Sequence, residues 1–206
     1  MTTVLITGFG PFPGAPFNPT TPLVKGLAKL RRPALAEVKI VTHIFATSYA
    51  AVDSELPRLI ARHRPDALLM FGLAPCARWL RVETRAQNTL ALLPDVGGTA
   101  LRSRAIAKGE PAALAMPAPA RRLLGAARAI RLPAALSRDA GRYLCNYLCW
   151  QAALAARKGP RIAAFVHVPN IARTPRRRGK ERRFTLDDLT QAGGRLLAEI
   201  VAAARR

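Results

Sequence analysis

The sequence predicts an α/β fold: one three-layer α/β/α domain over residues 1–206, with a twisted, mostly parallel (mixed) central sheet. Three observations predict it. Short, nearly continuous apolar runs at 2–7, 38–44, 67–71 and 162–168 have the length of strands buried on both faces. Segments of helical period separate them, the alternation that layered α/β folds require. The chain is 206 residues long and 50% hydrophobic, with no internal repeat and no interdomain linker, enough for one core but not for two.

The elements follow in order. Strand 2–7 runs into Gly8-Phe9-Gly10-Pro11-Phe12-Pro13-Gly14, where glycine and proline argue against regular structure. Thr21 before Pro22 reads as an N-cap with proline at the first helical position. Val24, Leu27 and Leu30 share a face of that helix, and Pro33 closes it. Residues 38–44 are the second strand, and a helix over 49–62 follows, with Pro57 a candidate kink. Residues 67–71 are the third strand, ended by Gly72. Over 80–86, Leu80, Val82, Thr84 and Ala86 fall on one face of a half-exposed strand, which leaves Glu83 opposite with Arg81 and Arg85.

The stretch 89–138 is broken by Gly97-Gly98, Pro111, Pro117, Pro119 and Pro133, and only 121–130 has helical spacing. From Tyr143, the positions Leu144, Tyr147, Leu148 and Ala152 mark a helix that ends at Gly159-Pro160. Residues 162–168 are the last strand, stopped by Pro169. Thr185-Leu186-Asp187-Asp188 reads as a capping box with an acidic first turn. It opens a final helix that turns Leu189, Leu196, Ile200 and Val201 inward.

Composition narrows the function classes. Lys and Arg number 33 against 12 Asp and Glu, a net charge of +21, which alone favours a polyanion partner. The basic residues are scattered, however, with one dense run at 173–183, inside a basic loop expected at 170–184. They lack the interleaved aromatics of single-strand binders and any zinc-finger spacing, so nucleic acid is not the expected partner. No apolar run reaches membrane-spanning length, and the N-terminus lacks the pattern of a signal peptide. Three cysteines without knotted spacing are expected to be free thiols in a cytoplasmic protein.

Four places could carry chemistry. The loop after the first strand lacks the third glycine of a dinucleotide fingerprint and any Gly-Lys-Ser/Thr. Its content is Phe9, Phe12 and Phe17 on a proline-stiffened chain, which either line an apolar pocket or pack beneath the loop. Cys145 sits in the first turn or two of a helix, where free backbone N–H groups and the helix dipole favour a thiolate; the alternative is a buried structural cysteine. A zinc site from Cys145, Cys149, His167 and Cys76 would need its last ligand from an unrelated loop.

Of the histidines, His63 is expected on the surface and His43 packed in a strand. His167 stands near the C-terminal end of a strand, where open α/β sheets gather their ligands. Glu83 is either a surface ion-pair partner of its flanking arginines or a carboxylate that orients a histidine. Cys, His and Glu are the parts of a cysteine hydrolase, although spacing alone does not connect them.

A resemblance does connect them. Ile6-Thr7-Gly8-Phe9-Gly10-Pro11-Phe12 with Asn18-Pro19, Phe71-Gly72-Leu73-Ala74 with Val82-Glu83 and Asn88, Tyr143-Leu144-Cys145-Asn146, and Phe165-Val166-His167-Val168-Pro169 occur in one order over nearly the whole chain. In this the sequence resembles the pyroglutamyl-peptidase I family of cysteine peptidases. The resemblance implies Cys145 as nucleophile, His167 as general base and then acid, and Glu83 as orienting acid, acting through a thioester. It places Phe9, Phe12, Tyr143 and Leu144 around the lactam ring of an N-terminal pyroglutamyl peptide, with no cofactor or metal, and it implies a homo-oligomer, a tetramer.

Three departures go with it. The segment between Asn88 and Pro94 is one residue shorter than the family pattern, and Leu93 stands where an arginine precedes the Pro-Asp pair. Pro75 and Cys76 replace two glycines, and the basic run is no family hallmark. They keep open two other readings: a relative that cleaves another small amide, and a catalytically weak basic binding protein.

Overall fold

A computed structural model describes residues 1–12, 14–172 and 183–206. Its centre is a six-stranded sheet of β1 (Thr2–Phe9), β2 (Val38–Phe45), β3 (Ala67–Leu73), β4 (Leu80–Glu83), β7 (Ala134–Ser137) and β8 (Ile162–Val168). The spatial order is β2-β1-β3-β8-β4-β7. Every pair is parallel except β4 with β8, which makes the sheet mixed. Between β4 and β7 in the chain, β5 (Arg85–Gln87) and β6 (Ala113–Ala115) form a separate antiparallel ribbon.

The helices are α1 (Thr20–Ala28), α2 (Tyr49–His63), α3 (Ala120–Arg128), α4 (Leu144–Ala155) and α5 (Leu186–Ala204). Strand alternation sorts them into two layers. Val4, Ile6, Leu69, Phe71, Val82, Ala164 and Val166 pack on one face with the apolar stripes of α1, α3 and α5. Leu5, Leu68, Met70, Ala163 and Phe165 pack on the other with α2 and α4. This is the predicted three-layer arrangement. The two-residue period also fixes the site: His167 is in step with Phe165, and Glu83 is out of step with Val82, so both face α4.

Several boundaries differ from expectation for tertiary reasons. β1 continues through Gly8 and Phe9 because Ile44 and Phe45 of β2 supply backbone partners there. The capping role expected of Thr21 is absent: α1 begins at Thr20, whose Oγ1 accepts the Phe9 N–H at 3.0 Å. Pro57 lies inside α2 without dividing it. Gly72 belongs to β3, paired with His167. The single strand expected at 80–86 breaks at Thr84 into β4 and β5, which belong to different sheets. The Ala-rich β7 carries no strand pattern of its own and forms against the edge that β4 offers. α4 ends at Ala155, short of the predicted Gly159-Pro160.

The final helix matches: Thr185 and Asp188 form a reciprocal capping box, and Leu189, Leu196, Ile200 and Val201 are buried. Of the basic run at 173–183, residues 173–182 lie outside the described residues; on either side of them Ile171 and Phe184 form an isolated bridge.

Candidate active site

Three elements converge at the C-terminal edge of the parallel strands. Cys145 is the second residue of α4, whose first-turn N–H groups have no partner within the helix. Gly141, at φ +81°, turns the preceding loop into that helix in a conformation that side chains disfavour. Gly72 of β3 makes the close approach of the helix possible: a Cβ there would lie 2.7 Å from Cys145 Sγ and 2.6 Å from the Phe165 ring. The sulfur therefore rests directly over a strand that has no side chain at that point.

His167 is the sixth of the seven residues of β8 and is 5% exposed. Its Nδ1 lies 2.8 Å from Glu83 Oε1, and Glu83 is completely buried at the end of antiparallel β4. Glu83 therefore does not sit on a half-exposed strand and is not a surface ion-pair partner of Arg81 or Arg85. Its second oxygen, Oε2, has no hydrogen-bond partner among the described residues, so the carboxylate acts on the imidazole alone. Cys145 is the ring's second side-chain hydrogen-bond partner.

Burial works against the imidazolium, but the charge of the Cys145 thiolate, its hydrogen bond, and then the hydrogen bond and charge of Glu83 outweigh it and raise the His167 pKa to about 9. The ring is thus protonated through neutral pH. Its Nδ1–H is donated to Glu83, and Nε2 is left for the sulfur.

Cys145 and His167 open into a cavity of about 240 Å³. Phe9, Phe12, Tyr143 and Leu144 all line it. Phe17 does not; it is 37% exposed, which divides the three loop aromatics. The loop carrying Phe9 and Phe12 is held by Asn18 Nδ2, which donates to the Gly10 carbonyl at 3.0 Å, and by Thr47 Oγ1, which donates to the same oxygen at 3.3 Å.

Tyr143 OH donates to the Pro94 carbonyl at 2.9 Å. The adjoining loop is tied to the start of α2 by Asp95, which accepts the N–H groups of Tyr49, Gly97 and Thr99. Burial opposes the Asp95 carboxylate, and these hydrogen bonds outweigh it, holding its pKa below the usual range. Leu93, at the place of the family's arginine, is 55% exposed and does not line the cavity.

The remaining candidates separate. Cys149 is fully buried, and burial, then the charges of Glu83 and Cys145, push its thiol well above the ordinary cysteine range. Cys76 is exposed. Among the described residues no group of three or more His, Cys, Asp or Glu is arranged to hold a metal. His43 acquires an acidic neighbour that the sequence does not place beside it, Glu55 of α2 at 2.5 Å. His63, expected on the surface, is half-buried at the end of α2. Thr47, Leu73 and Arg81 line the cavity although nothing local in the sequence singles them out as site residues; only the strand order brings them there. No helix among the described residues is long and apolar enough to cross a membrane.

A buried imidazole between a carboxylate and a thiol, at the mouth of a small apolar cavity, is equipped for acyl transfer. Comparison with known proteins agrees. The family model described as pyroglutamyl peptidase matches residues 2–181. The pyrrolidone-carboxylate peptidase of Thermococcus kodakarensis is 33% identical over 169 residues, covering 81% of this chain and 80% of its own. The pyrrolidone carboxyl peptidase structure from Thermococcus litoralis superposes with a TM-score of 0.88 at 27% identity, over 100% of this chain and 96% of the other. The Bacillus amyloliquefaciens pyroglutamyl peptidase I structure gives 0.85 at 26% identity, over 98% of each chain. The chemistry the cavity is equipped for and the sequences it shares thus agree, and the chain belongs to the pyroglutamyl peptidase family of cysteine peptidases, whose reaction is removal of N-terminal pyroglutamate.

Proposed function

We propose that this chain, acting as one catalytic domain, hydrolyses the amide bond after an N-terminal pyroglutamyl residue through Cys145, His167 and Glu83. The observation that carries the reading is the continuous line from Glu83 Oε1 through His167 to Cys145 beside an apolar cavity. Pyroglutamate is an uncharged five-membered lactam, and walls made by Phe9, Phe12, Tyr143 and Leu144 suit it.

In the proposed reaction the Cys145 thiolate attacks the carbonyl carbon of the pyroglutamyl residue. The oxygen, now negative, is met by the free first-turn N–H groups of α4, Cys145's own among them, and by the positive end of the helix dipole. His167 gives its Nε2 proton to the departing amine, the C–N bond breaks, and a thioester to Cys145 remains. The imidazole, now neutral, takes a proton from water as the water attacks the thioester; pyroglutamate leaves, and the thiolate–imidazolium pair is restored. Glu83 keeps Nδ1–H fixed throughout and stabilises the cation in both halves.

The test uses a chromogenic pyroglutamyl amide with the wild-type protein and with Cys145→Ser, together with mass spectrometry of acid-quenched enzyme. Chromophore release and a trapped pyroglutamyl adduct on Cys145 in the wild type alone are the expected results. Equal release by the two forms would remove Cys145 from the mechanism.

A further inference from the structure

Resting on the pyroglutamyl-peptide reading, we propose that Arg81 is a specificity residue that binds a carboxylate on the residue following pyroglutamate. Strand order carries the inference. Along the sheet, the cavity wall is built from Phe9 at the end of β1, Leu73 of β3, His167 of β8 and Arg81 of β4. Neighbouring strands are about 4.8 Å apart, so this row spans roughly 14 Å. Phe9 ends β1 and Phe12 lies in the loop that follows it, whereas His167 stands two strands away on β8, next to β4. A substrate whose ring lies among the aromatics and whose carbonyl lies at Cys145 extends its leaving residue past His167, toward β4.

Arg81 is what it meets there. Its Cα is paired directly with that of His167, on the strand face that carries Glu83. The residue is half-buried and lines the cavity, and among the described residues no ion pair neutralises it. Glu83, two residues along, is committed to His167. A partly desolvated guanidinium without a counter-charge gains most from a planar anion, which it can hold by two parallel hydrogen bonds. Arg142, the other arginine on the wall, belongs to the exposed loop entering α4, which also carries Asp139. The surplus of positive charge over the whole chain, +21, also draws anionic peptides toward the cavity, so the test must separate that field from Arg81 itself.

The carboxylate has two sources: the free terminus of a pyroglutamyl dipeptide, or the side chain of an acidic residue in a longer peptide. The experiment measures kcat/KM for pyroglutamyl-alanine against its amide, and for pyroglutamyl-glutamate amide against the glutamine analogue. The wild type should favour the anionic member of one pair or of both by about tenfold, and the pair that responds identifies the source. Arg81→Met should abolish the preference, Arg81→Lys should retain part of it, and Arg62→Gln, which removes the same charge from the exposed end of α2, should retain it in full. Lack of discrimination by an active wild type, or a preference that survives in a folded Arg81→Met, overturns this inference alone. Failure to cleave any of the four peptides overturns it together with the reading beneath it.

Discussion

Cys145 and Cys149 stand one turn apart on the same helix and differ in almost every property that matters for chemistry. Cys145 lies in the first turn, half-buried, at the wall of a cavity and in hydrogen-bond contact with His167. Cys149 lies in the second turn, completely buried among Leu148, Trp150 and Phe165 in the apolar layer, with its thiol held protonated. The two residues share a chain segment, a helix dipole and a nearby carboxylate. A rise of about 6 Å along the helix axis takes one sulfur from unpaired N–H groups and a cation to a medium with neither. Reactivity here depends on what surrounds the helix, more than on the helix itself.

Substitution is the most direct way to break this contrast. Cys145→Ser should lower kcat/KM by about 10³-fold or more, because removing the nucleophile leaves only binding and oxyanion stabilisation. Cys149→Ala should leave kcat/KM close to wild type and cost about 1 kcal/mol of unfolding free energy from lost packing, read by chemical denaturation. Comparable activity losses in the two variants would erase the distinction between the sulfurs.

Glu83→Gln sharpens the contrast from the other side of His167. An amide can still accept from Nδ1–H, but it neither stabilises the imidazolium by charge nor fixes the tautomer, and kcat should fall about 10²- to 10⁴-fold with a smaller change in KM. Stopped-flow alkylation by iodoacetamide should show slower modification of Cys145 near neutral pH, with Cys149 unreactive before and after the substitution.

Gly72→Ala tests the approach of helix to strand. The added methyl would sit 2.7 Å from Cys145 Sγ and 2.6 Å from the Phe165 ring, so the sulfur or the ring must move. A displacement of that order should reduce kcat about 10²-fold, with a lowered Tm measured on the same sample. Unchanged kcat would mean that the sulfur's position over β3 is not required.

The smallest effect to resolve is the pH dependence. The raised pKa of His167, about 9 against an ordinary 6.5, means that the imidazolium persists through neutral pH and is lost as pH rises through about 9. The free energy that the folded state gains from this ring is accordingly complete below about pH 6.5 and gone above about pH 9. The kcat/KM profile should form a bell whose alkaline limb descends near pH 9, and Glu83→Gln should shift that limb to lower pH. A flat profile from pH 5 to 9 would contradict paired acid–base work by Cys145 and His167.

How much of this was legible in the chain follows from range. Runs such as Ile162–Val168 and the capping box at Thr185 and Asp188 are specified by neighbours a few residues away, and the structure follows them closely. The blocks around Cys145 and His167 were legible as motifs of the family that the sequence resembles. Glu83 was the ambiguous case: locally it alternates away from apolar neighbours and reads as surface, yet β8 and α4 cover that face and leave it with no exposure. β7 and β6 were not legible, because alanine-rich segments take their extended form from the partner beside them. Phe17 shows the converse, a loop aromatic with the right chemistry that the fold directs elsewhere.

The sequence by itself determined the layered α/β class and the final helix with its cap, and it offered a thiol, an imidazole and a carboxylate that only a family resemblance connected. Periodicity and residue chemistry are local properties, so they survive without coordinates. Tertiary structure alone decided that β4 runs antiparallel beside β8, which sets Glu83 against His167 and places Arg81 on the cavity wall, paired with His167. The pairing of two strands separated by about 80 residues is governed by the shared burial of their apolar faces, and no short window of sequence contains that information.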